Sequence, residues 1–315
     1  MEVFVVKVSV IVPTYNQEEY IAECIQGICK QQIDFPIEVI IGDDCSIDNN
    51  QAIILKEIEK NKNPLIGFSL NFHKSNLSAP PNIPGKLNFL SCLKMAQGKY
   101  IALCEGDDYW TDPLKLQKQV DFMEKNPDYS GIGSNSETTY PNKAHNHLFG
   151  ESKESILNLN DLLQARKFHT ATFLFRATAF KIDFPLDILS GDRVLFMLIA
   201  CSGKIKLLKD VTAVYRKNEG GISRTVTADQ LKKDFKIAKY ISKYNSNFDY
   251  YKLQSFVAYT VFQYAKKISL LDYVVNSYFL LYYRLMNRGK KSRKAIITDS
   301  IKLIMNFSNK LVLFN

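Results

Sequence analysis

The sequence lacks the features of a secreted, disulfide-stapled or membrane-embedded protein. Its six cysteines include no Cys-x-x-Cys pair, which disfavours a disulfide framework or a cysteine-ligated zinc site and predicts reduced thiols. No apolar run reaches the roughly 18 residues that a transmembrane helix needs. Lys7 interrupts the apolar stretch near the N-terminus, so we expect no signal peptide.

Negative charge is scarce only in the last third of the chain. Residues 225–315 contain 16 Lys and Arg against 5 Asp and Glu, whereas the remainder contains 25 against 27. The chain has 315 residues, of which 46% are hydrophobic and 23% charged, as is typical of a globular protein. We predict two parts, a domain over 1–224 and a basic, aromatic-rich helical region over 225–315.

Strand and helix patterns alternate through the first part. Short β-branched or apolar runs predict strands, and apolar spacing of three to four residues predicts the helices between them. The predicted strands are Val8–Val12, Glu38–Gly42, Leu65–Phe72, Tyr100–Cys104, Tyr129–Ser134, Phe173–Arg176 and Leu207–Tyr215. The predicted helices are Glu18–Gln31, Ala52–Lys60, Asn88–Ala96, Lys115–Lys125, Leu157–Ala165 and Val194–Ala200. This alternation predicts an α/β fold, with a mostly parallel sheet flanked by helices.

The pattern changes after Ser223. Four segments have helical spacing of apolar residues and little strand signal, which predicts an all-helical C-terminal extension. They are 228–245, 250–267, 270–287 and 292–309.

Polar turns follow three of the predicted strands. They are Pro13–Asn16, Asp43–Asp48 and Glu105–Asp108. Because ligands bind beyond the carboxyl ends of parallel strands, we expect these turns to lie at one edge of the sheet.

The third turn, Glu105-Gly106-Asp107-Asp108, places three carboxylates around one glycine. Carboxylates so close together repel one another, and hard oxygen ligands suit Mg²⁺ or Mn²⁺. A bound cation of this kind can hold a diphosphate. The alternative is a solvated acidic turn that only caps the helix starting near Pro113.

Other candidate residues have two interpretations each. Asp192 stands at the start of an apolar helix. It is either a carboxylate that stabilises the N-terminus of this helix or a general base at the mouth of a cleft. The loop 216–223 contains Arg216 and a Gly220-Gly221 pair, which suits a cationic lid or an ordinary hairpin loop. His145 and His147 lie in a polar segment, where solvated histidines are expected.

The basic segment 288–294 lies next to the aromatic run 278–283. Basic residues beside apolar faces suit an anionic membrane surface. Packing on the chain's own domain or on a second subunit explains the same pattern, and both alternatives stay open.

Four stretches in this order resemble the inverting nucleotide-sugar glycosyltransferases of family 2, which have the GT-A fold. They are Val8-Ser9-Val10-Ile11-Val12-Pro13-Thr14-Tyr15-Asn16, Val39-Ile40-Ile41-Gly42-Asp43-Asp44-Cys45-Ser46, Gly98 to Asp108, and Gly191-Asp192 before an apolar helix. The resemblance covers roughly Lys7 to Ser223.

The resemblance implies a role for each matching residue. Asp44 accepts a hydrogen bond from the base, Asp107 binds Mn²⁺ or Mg²⁺, and Asp192 deprotonates the acceptor hydroxyl. The remaining implied donor-binding residues are Pro13, Thr14, Tyr15, Asp43, Lys86, Glu105, Gly106 and Arg216. Two positions depart from the family pattern, because Glu105 replaces an Asp and Lys217-Asn218 stands where relatives often carry a His.

The reaction implied is transfer of a sugar from a nucleotide-sugar, with UDP favoured, to an acceptor hydroxyl. The basic tail suggests a lipid-linked glycan of surface-polysaccharide synthesis (O-antigen, capsule or lipooligosaccharide) as acceptor, in a cytoplasmic protein peripheral on the inner face of the cytoplasmic membrane. We expect no nucleic acid as partner, and a homodimer through the C-terminal helices is the alternative use of the tail. The rival functions are a nucleotidyltransferase, a nucleic-acid-binding protein and an inactive transferase.

Overall fold

The computed structural model describes residues 5–77, 85–141, 146–150, 153–181, 183–218, 226–287, 289 and 291–312. It divides into two compact units. Unit 1 comprises 1–158, 166–183 and 202–218, and unit 2 comprises 159–165, 184–201 and 219–315. Segments 159–165 and 184–201 therefore group with the C-terminal residues, and the predicted domain boundary at 224 stays a prediction.

Unit 1 is built around one sheet. Its strands are β1 Val8–Thr14, β2 Ile37–Asp43, β3 Ile66–Phe72, β4 Tyr100–Leu103, β5 Tyr109–Trp110, β6 Tyr129–Thr139, β7 His147–Leu148, β8 Ser155–Leu157, β9 Leu174–Arg176 and β10 Lys204–Arg216. The main path runs β3-β2-β1-β4-β9-β6-β10-β5, with β7 paired to β6 and β8 to β10. β1 to β4 are mutually parallel, and β9 runs antiparallel to β4 and β6.

Helices connect successive strands of unit 1. They are α1 Ile21–Cys29, α2 Asn50–Glu59, α3 Lys86–Met95 and α4 Lys115–Lys125. Strands buried on both faces need continuous apolar runs, and Val8, Val10, Ile11 and Val12 are fully buried. The buried face of α1 packs into the same core, so the alternation seen in the sequence is confirmed as a mostly parallel α/β sheet.

β6 is rich in small polar residues although most of it is buried. Its residues 129–136 are all buried although four of these eight are Ser or Asn. The Ser134 hydroxyl lies 2.5 Å from the Thr212 hydroxyl of β10. Pairing of buried polar groups offsets the cost of removing them from water, which allows a polar strand inside the sheet.

Unit 2 is mainly helical among its described residues, as predicted for the C-terminal extension. Its elements are α5 Gly191–Ala200, α6 Ala228–Lys232, α7 Ile237–Ser242, α8 Tyr250–Tyr264, α9 Leu270–Met286, α10 Arg293–Met305 and the short parallel pair β11 Ile268–Ser269 and β12 Leu311–Val312. Side chains of Asp249, Ser269 and Ser292 cap the N-termini of α8, α9 and α10.

Two predicted helices differ from the structure. The helix predicted over Leu157–Ala165 is wrong, because Leu157 ends β8 and a single 3₁₀ turn covers Leu159–Asp161. The helix predicted over 228–245 is interrupted by a 3₁₀ turn at Lys233–Lys236, which separates α6 from α7. In both segments the leucines and isoleucines are buried, but without a continuous helix.

Among the described helices, none combines the length and apolar composition required to cross a lipid bilayer.

Gly27 allows α1 to approach the backbone of β5. A Cβ at this position would lie 2.7 Å from the Trp110 carbonyl oxygen, whereas a Cβ at Gly67 would meet nothing closer than 3.9 Å.

We expect Gly27→Ala to lower the free energy of unfolding by about 1–3 kcal/mol, as overpacking does, and Gly67→Ala to be tolerated. Urea unfolding measures both. A Gly27→Ala protein as stable as wild type would contradict this packing, since alanine is the better helix former.

Lys115 is fully buried in α4. Its Nζ donates to Gln119 Oε1 at 3.0 Å and lies 4.1 Å from the centre of the Trp110 ring. Burial lowers the pKa of Lys115 to about 7. The unfolded chain, with an ordinary pKa of about 10.4, therefore binds more protons than the folded one above pH 7, so wild-type stability should rise with pH there.

Lys115→Met removes this titration. Between pH 7 and 9, wild type should gain up to about 2–3 kcal/mol relative to the variant. Urea unfolding of both proteins at the two pH values measures the difference. Equal pH dependence in the two proteins would show that Lys115 keeps an ordinary pKa.

Candidate functional site

The carboxyl ends of β1, β2 and β4 are joined by backbone hydrogen bonds. β1 pairs in parallel with both β2 and β4 and therefore lies between them. The Asp44 amide donates to the Thr14 carbonyl at 3.0 Å, and the Gly106 amide donates to the Pro13 carbonyl at 3.1 Å. The three polar turns thus lie together at one edge of the sheet, as their order in the sequence predicts.

Asp43 is buried, and its two carboxylate oxygens accept four hydrogen bonds. Oδ1 accepts from the Ser46 amide at 2.9 Å and Gln51 Nε2 at 2.6 Å, and Oδ2 accepts from Ser46 Oγ at 2.6 Å and Asn50 Nδ2 at 2.7 Å. Burial raises the pKa of Asp43, but the four hydrogen bonds outweigh it and leave the pKa below its usual value. The ionised carboxylate therefore holds the turn after β2.

The turns after β1 and β2 also bind each other directly. The Asn16 amide donates to Ser46 Oγ at 2.9 Å, and the Ile47 amide donates to Asn16 Oδ1 at 2.9 Å. Asn16 has φ of 50° and Cys45 has φ of 63°, which is uncommon for residues other than glycine. Such backbone geometry is maintained only where surrounding contacts fix it, and it often marks functional sites.

The first-turn residues differ in exposure. Thr14 is buried, donating through Oγ1 to Gln17 Oε1 at 2.8 Å and accepting from Asn50 Nδ2 at 3.1 Å. Tyr15 is 43% exposed, and Pro13 is half-buried. Thr14 therefore supports the turn, whereas the Tyr15 ring is accessible to a ligand.

Asp44 directly follows β2, and Lys86 begins α3, a helix that contacts the end of β2. Asp44 is buried, and its Oδ1 accepts from the Leu77 amide at 2.7 Å. Lys86 is buried at the start of α3, directly after Gly85. Asn88 of α3 donates to the Gly42 carbonyl at 2.7 Å and so fixes this helix against the end of β2.

Only glycine fits at position 106 of the acidic turn. A Cβ there would lie 2.5 Å from Gln17 Oε1 and 2.8 Å from the Thr14 side chain. Burial raises the pKa of the neighbouring Asp107, and hydrogen bonds from Asn218 and Gln17 lower it only in part. The close packing against the first turn thus places a carboxylate where its charge is poorly solvated.

Arg216 and Asn218, at the end of β10, contact the acidic turn. The Arg216 guanidinium pairs with Glu23, donates to the Asp107 carbonyl at 2.9 Å and lies 4.3 Å from the Tyr109 ring centre. Asn218 Nδ2 donates to Asp107 Oδ2 at 2.8 Å. Arg216 thus reaches the predicted site, where it contacts protein groups of the turn.

Within the described part of the chain, one group of side chains is arranged to hold a cation. It consists of Glu105, Asp108 and His169. One ligand atom of each lies within 4.8 Å of the others. His169 Nδ1 is 3.5 Å from Asp108 Oδ2, and both side chains are buried. Two carboxylates and an imidazole can supply ligands to a divalent cation such as Mn²⁺.

The titration of these groups also suits a cation. Burial, and next the charges of Asp107 and Glu105, raise the pKa of Asp108 well above its usual value. Burial, and next the charges of Arg166 and Lys217, lower the pKa of His169 well below its usual value, which keeps the imidazole neutral. Asp107, the metal ligand implied by the family resemblance, is not in this group, and its own assignment stays a prediction.

His169 is the site residue that the sequence analysis missed. It precedes the 3₁₀ turn Thr170–Thr172 and stacks on Tyr215 with ring centres 3.9 Å apart. Its only sequence signal is that it stands four residues before the start of the predicted strand Phe173–Arg176, which does not indicate a contact with a turn about sixty residues earlier.

Asp192 lies in the first turn of α5 in unit 2. Its Oδ1 accepts from the Arg193 amide at 2.7 Å. This is the position expected of an N-terminal helix carboxylate, and its role as a base stays a prediction. His145 and the Gly220-Gly221 pair of the predicted lid lie outside the described residues.

The chain resembles a known protein family and several known proteins in sequence. The model of glycosyl transferase family 2 matches residues 9–183, which is more than half of the chain. Poly(ribitol-phosphate) beta-N-acetylglucosaminyltransferase TarS of Staphylococcus aureus is 32% identical over 228 residues, covering 68% of this chain and 36% of TarS. An uncharacterized protein of Mycobacterium tuberculosis is 34% identical over 225 residues, covering 71% of this chain and 62% of that protein. The chain thus spans less than two thirds of either relative.

Solved structures show the same fold. S. aureus TarS 1–349 in complex with UDP-GlcNAc has a TM-score of 0.67 at 20% identity, over 96% of this chain and 90% of that one. The mannosyltransferase PcManGT from Pyrobaculum calidifontis, in complex with GDP-Man and Mn²⁺, has a TM-score of 0.55 at 17% identity, over 96% and 82%. The match to the family model over more than half of the chain, together with the shared fold, shows that the chain belongs to glycosyl transferase family 2 and has the GT-A fold.

Proposed function

We propose that the chain is a divalent-metal-dependent, inverting transferase that moves a sugar from a UDP-sugar to an acceptor hydroxyl. The observation that carries this proposal is the joining of the turns after β1, β2 and β4 at one sheet edge, with the acidic turn among them. Asp44 and Tyr15 would bind the nucleoside, and Lys86 and Arg216 would balance the charge of the diphosphate. The TarS complex with UDP-GlcNAc supports UDP as the nucleotide.

Mn²⁺ or Mg²⁺ would be held by carboxylates of the acidic turn. Asp107 is the ligand that the family resemblance implies, with Glu105 beside it, and Asp108 with His169 supply further ligand atoms within 4.8 Å of Glu105. A bound divalent cation neutralises charge on the departing diphosphate. The raised pKa values of Asp107 and Asp108 are consistent with carboxylates that a nearby positive charge would stabilise.

Asp192 would act on the acceptor. It removes the proton from the acceptor hydroxyl as the oxygen attacks the anomeric carbon, on the face opposite the diphosphate. The bond from the anomeric carbon to the diphosphate breaks as the new glycosidic bond forms, so a single displacement inverts the configuration. The proton remains on the Asp192 carboxyl until solvent accepts it.

The acceptor proposed is a lipid-linked glycan of surface-polysaccharide synthesis, reached at the inner face of the cytoplasmic membrane. The support is an exposed apolar row on α9, where Leu271 is 71% exposed, Val274 58% and Tyr278 63%. Their spacing of three or four residues places them on one side of the helix. Such a face, in a strongly basic part of the chain, suits contact with an anionic lipid surface, and burial against a second copy of the chain is the alternative.

A thermal-shift screen tests the donor and the metal together. UDP-GlcNAc, UDP-glucose, UDP-galactose and GDP-mannose are each added with Mn²⁺, with Mg²⁺ or with EDTA. A ligand that binds the folded state raises its melting temperature. We expect a metal-dependent increase with a UDP-sugar, whereas a shift with GDP-mannose alone, or one that persists in EDTA, would contradict the proposal.

Asp107→Asn should weaken metal-dependent UDP binding by at least about tenfold, because it removes a charge from the proposed cation site. Isothermal titration calorimetry with UDP and Mn²⁺ measures this affinity. Asp34→Asn is the matched control, since it makes the same substitution at an exposed position of unit 1. Unchanged affinity in Asp107→Asn would remove this residue from the metal site.

Asp192→Asn should lower the transfer rate by about 10²–10⁴-fold, the usual contribution of a general base, and should leave UDP affinity intact. Asp229→Asn, at an exposed position of the same unit, is the control. Single-turnover transfer to a hydroxyl acceptor is compared among the three proteins. A rate in Asp192→Asn close to wild type would assign the base elsewhere.

A further inference from the structure

Unit 2 contains a surface cavity of about 240 Å³ that is partly open to solvent. It is lined by Gln164, Ser255, Arg284, Asn287, Lys291 and Ile296. Two of these side chains are cationic, three are neutral and polar, one is apolar, and none is acidic. A cavity with this lining favours an anionic ligand over a cation or an apolar molecule.

Helices α8, α9 and α10 supply three of the six lining residues, Ser255, Arg284 and Ile296. Arg284 lies half-buried in the last turn of α9, and Ser255 is buried in α8. Lys291 immediately precedes Ser292, which caps α10, and Ile296 is buried in the first turns of that helix. The N-terminus of a 13-residue helix therefore lies beside the cavity, where its dipole adds positive potential.

Neither cation at the cavity takes part in an ion pair within the part of unit 2 that the structure describes. The ion pairs described there join Lys232 to Asp229 and Asp272, and Lys236 to Asp187. Arg284 and Lys291 take part in none of them. Two cations at one cavity repel each other, and an anion between them would remove that repulsion.

The side chains that line the cavity narrow the ligand class. A guanidinium fork and an ammonium suit the oxygens of a phosphate group, and the amides of Gln164 and Asn287 can donate to further oxygens.

We propose that this cavity binds a phosphate group, either as a free phosphate anion or as the headgroup of a phospholipid. All residues that line it belong to unit 2, and none of them is among the residues proposed above to bind the sugar nucleotide or the acceptor. Arg284 provides bidentate hydrogen bonds to the phosphate oxygens, and Lys291 provides the second positive charge. The proposal does not depend on the identity of the donor or acceptor of the transferase.

Isothermal titration calorimetry of the full chain tests this site with inorganic phosphate, and in a second arm with dihexanoyl phosphatidic acid below its micellar concentration. EDTA is present throughout, so that metal-bridged binding at the acidic turn does not contribute. We expect saturable binding by wild type and at least about tenfold weaker binding by Arg284→Gln, which removes charge-assisted hydrogen bonds. Lys291→Gln, at an exposed position, should also weaken binding and tests the site if Arg284→Gln does not fold.

Lys302→Gln is the matched control, because it removes one positive charge from an exposed position of α10 that does not line the cavity. It should bind as wild type does. Tighter binding of the lipid than of inorganic phosphate would identify a headgroup site, and equal binding would identify a site for free phosphate. No binding by wild type, or equal affinity in wild type, Arg284→Gln and Lys291→Gln, would overturn the proposal.

Discussion

The buried carboxylate of Asp43 is the interaction on which the rest of the site depends. Burying an ionised carboxylate costs several kcal/mol unless it is paired, and each hydrogen bond to a charged group returns about 1.5–3 kcal/mol. Four such bonds, from Ser46, Asn50 and Gln51, are enough to keep the group ionised. They fix the turn that carries Asp44, and Asn50 also reaches Thr14 of the first turn. The positions of two of the three turns are therefore set by one buried charge.

In the third turn, Glu105–Asp108, the surroundings disfavour the ionised carboxylates, whereas they favour the ionised Asp43. Burial and like charges raise the pKa of Asp108, and burial raises that of Asp107. Arg216 and Asn218 offset part of this cost through hydrogen bonds to the turn. Asp43 is thus saturated by protein donors and acts as scaffold, whereas the acidic turn retains carboxylates that a cation would stabilise. Ligand binding at this edge of the sheet requires both kinds of turn, one that protein groups hold in place and one whose carboxylates remain available to a cation.

The sequence predicts the sheet and the meeting of the turns, because β-branched runs such as Val8–Val12 determine buried strands and parallel order determines which ends meet. The family resemblance adds the residue roles, and the family match disfavours a nucleotidyltransferase or nucleic-acid-binding protein. His169 could not be found this way, since the residue that it contacts, Asp108, lies about sixty residues earlier in the chain.

The wrong prediction of a helix over Leu157–Ala165 has a related cause, namely a contact between residues that are far apart in the sequence. Leu157, Leu162 and Leu163 are buried as their spacing predicts, yet Leu157 pairs with Ile205 in the sheet.

Hydrogen–deuterium exchange with and without UDP and Mn²⁺ tests most directly whether the three turns form one nucleotide site. Peptides covering 13–18, 43–51 and 105–110 should become protected together, and to the same extent over one titration, because one ligand contacts all three. The joint response is the result that the convergence of β1, β2 and β4 predicts. Protection confined to one of these segments, or found only elsewhere in the chain, would contradict it.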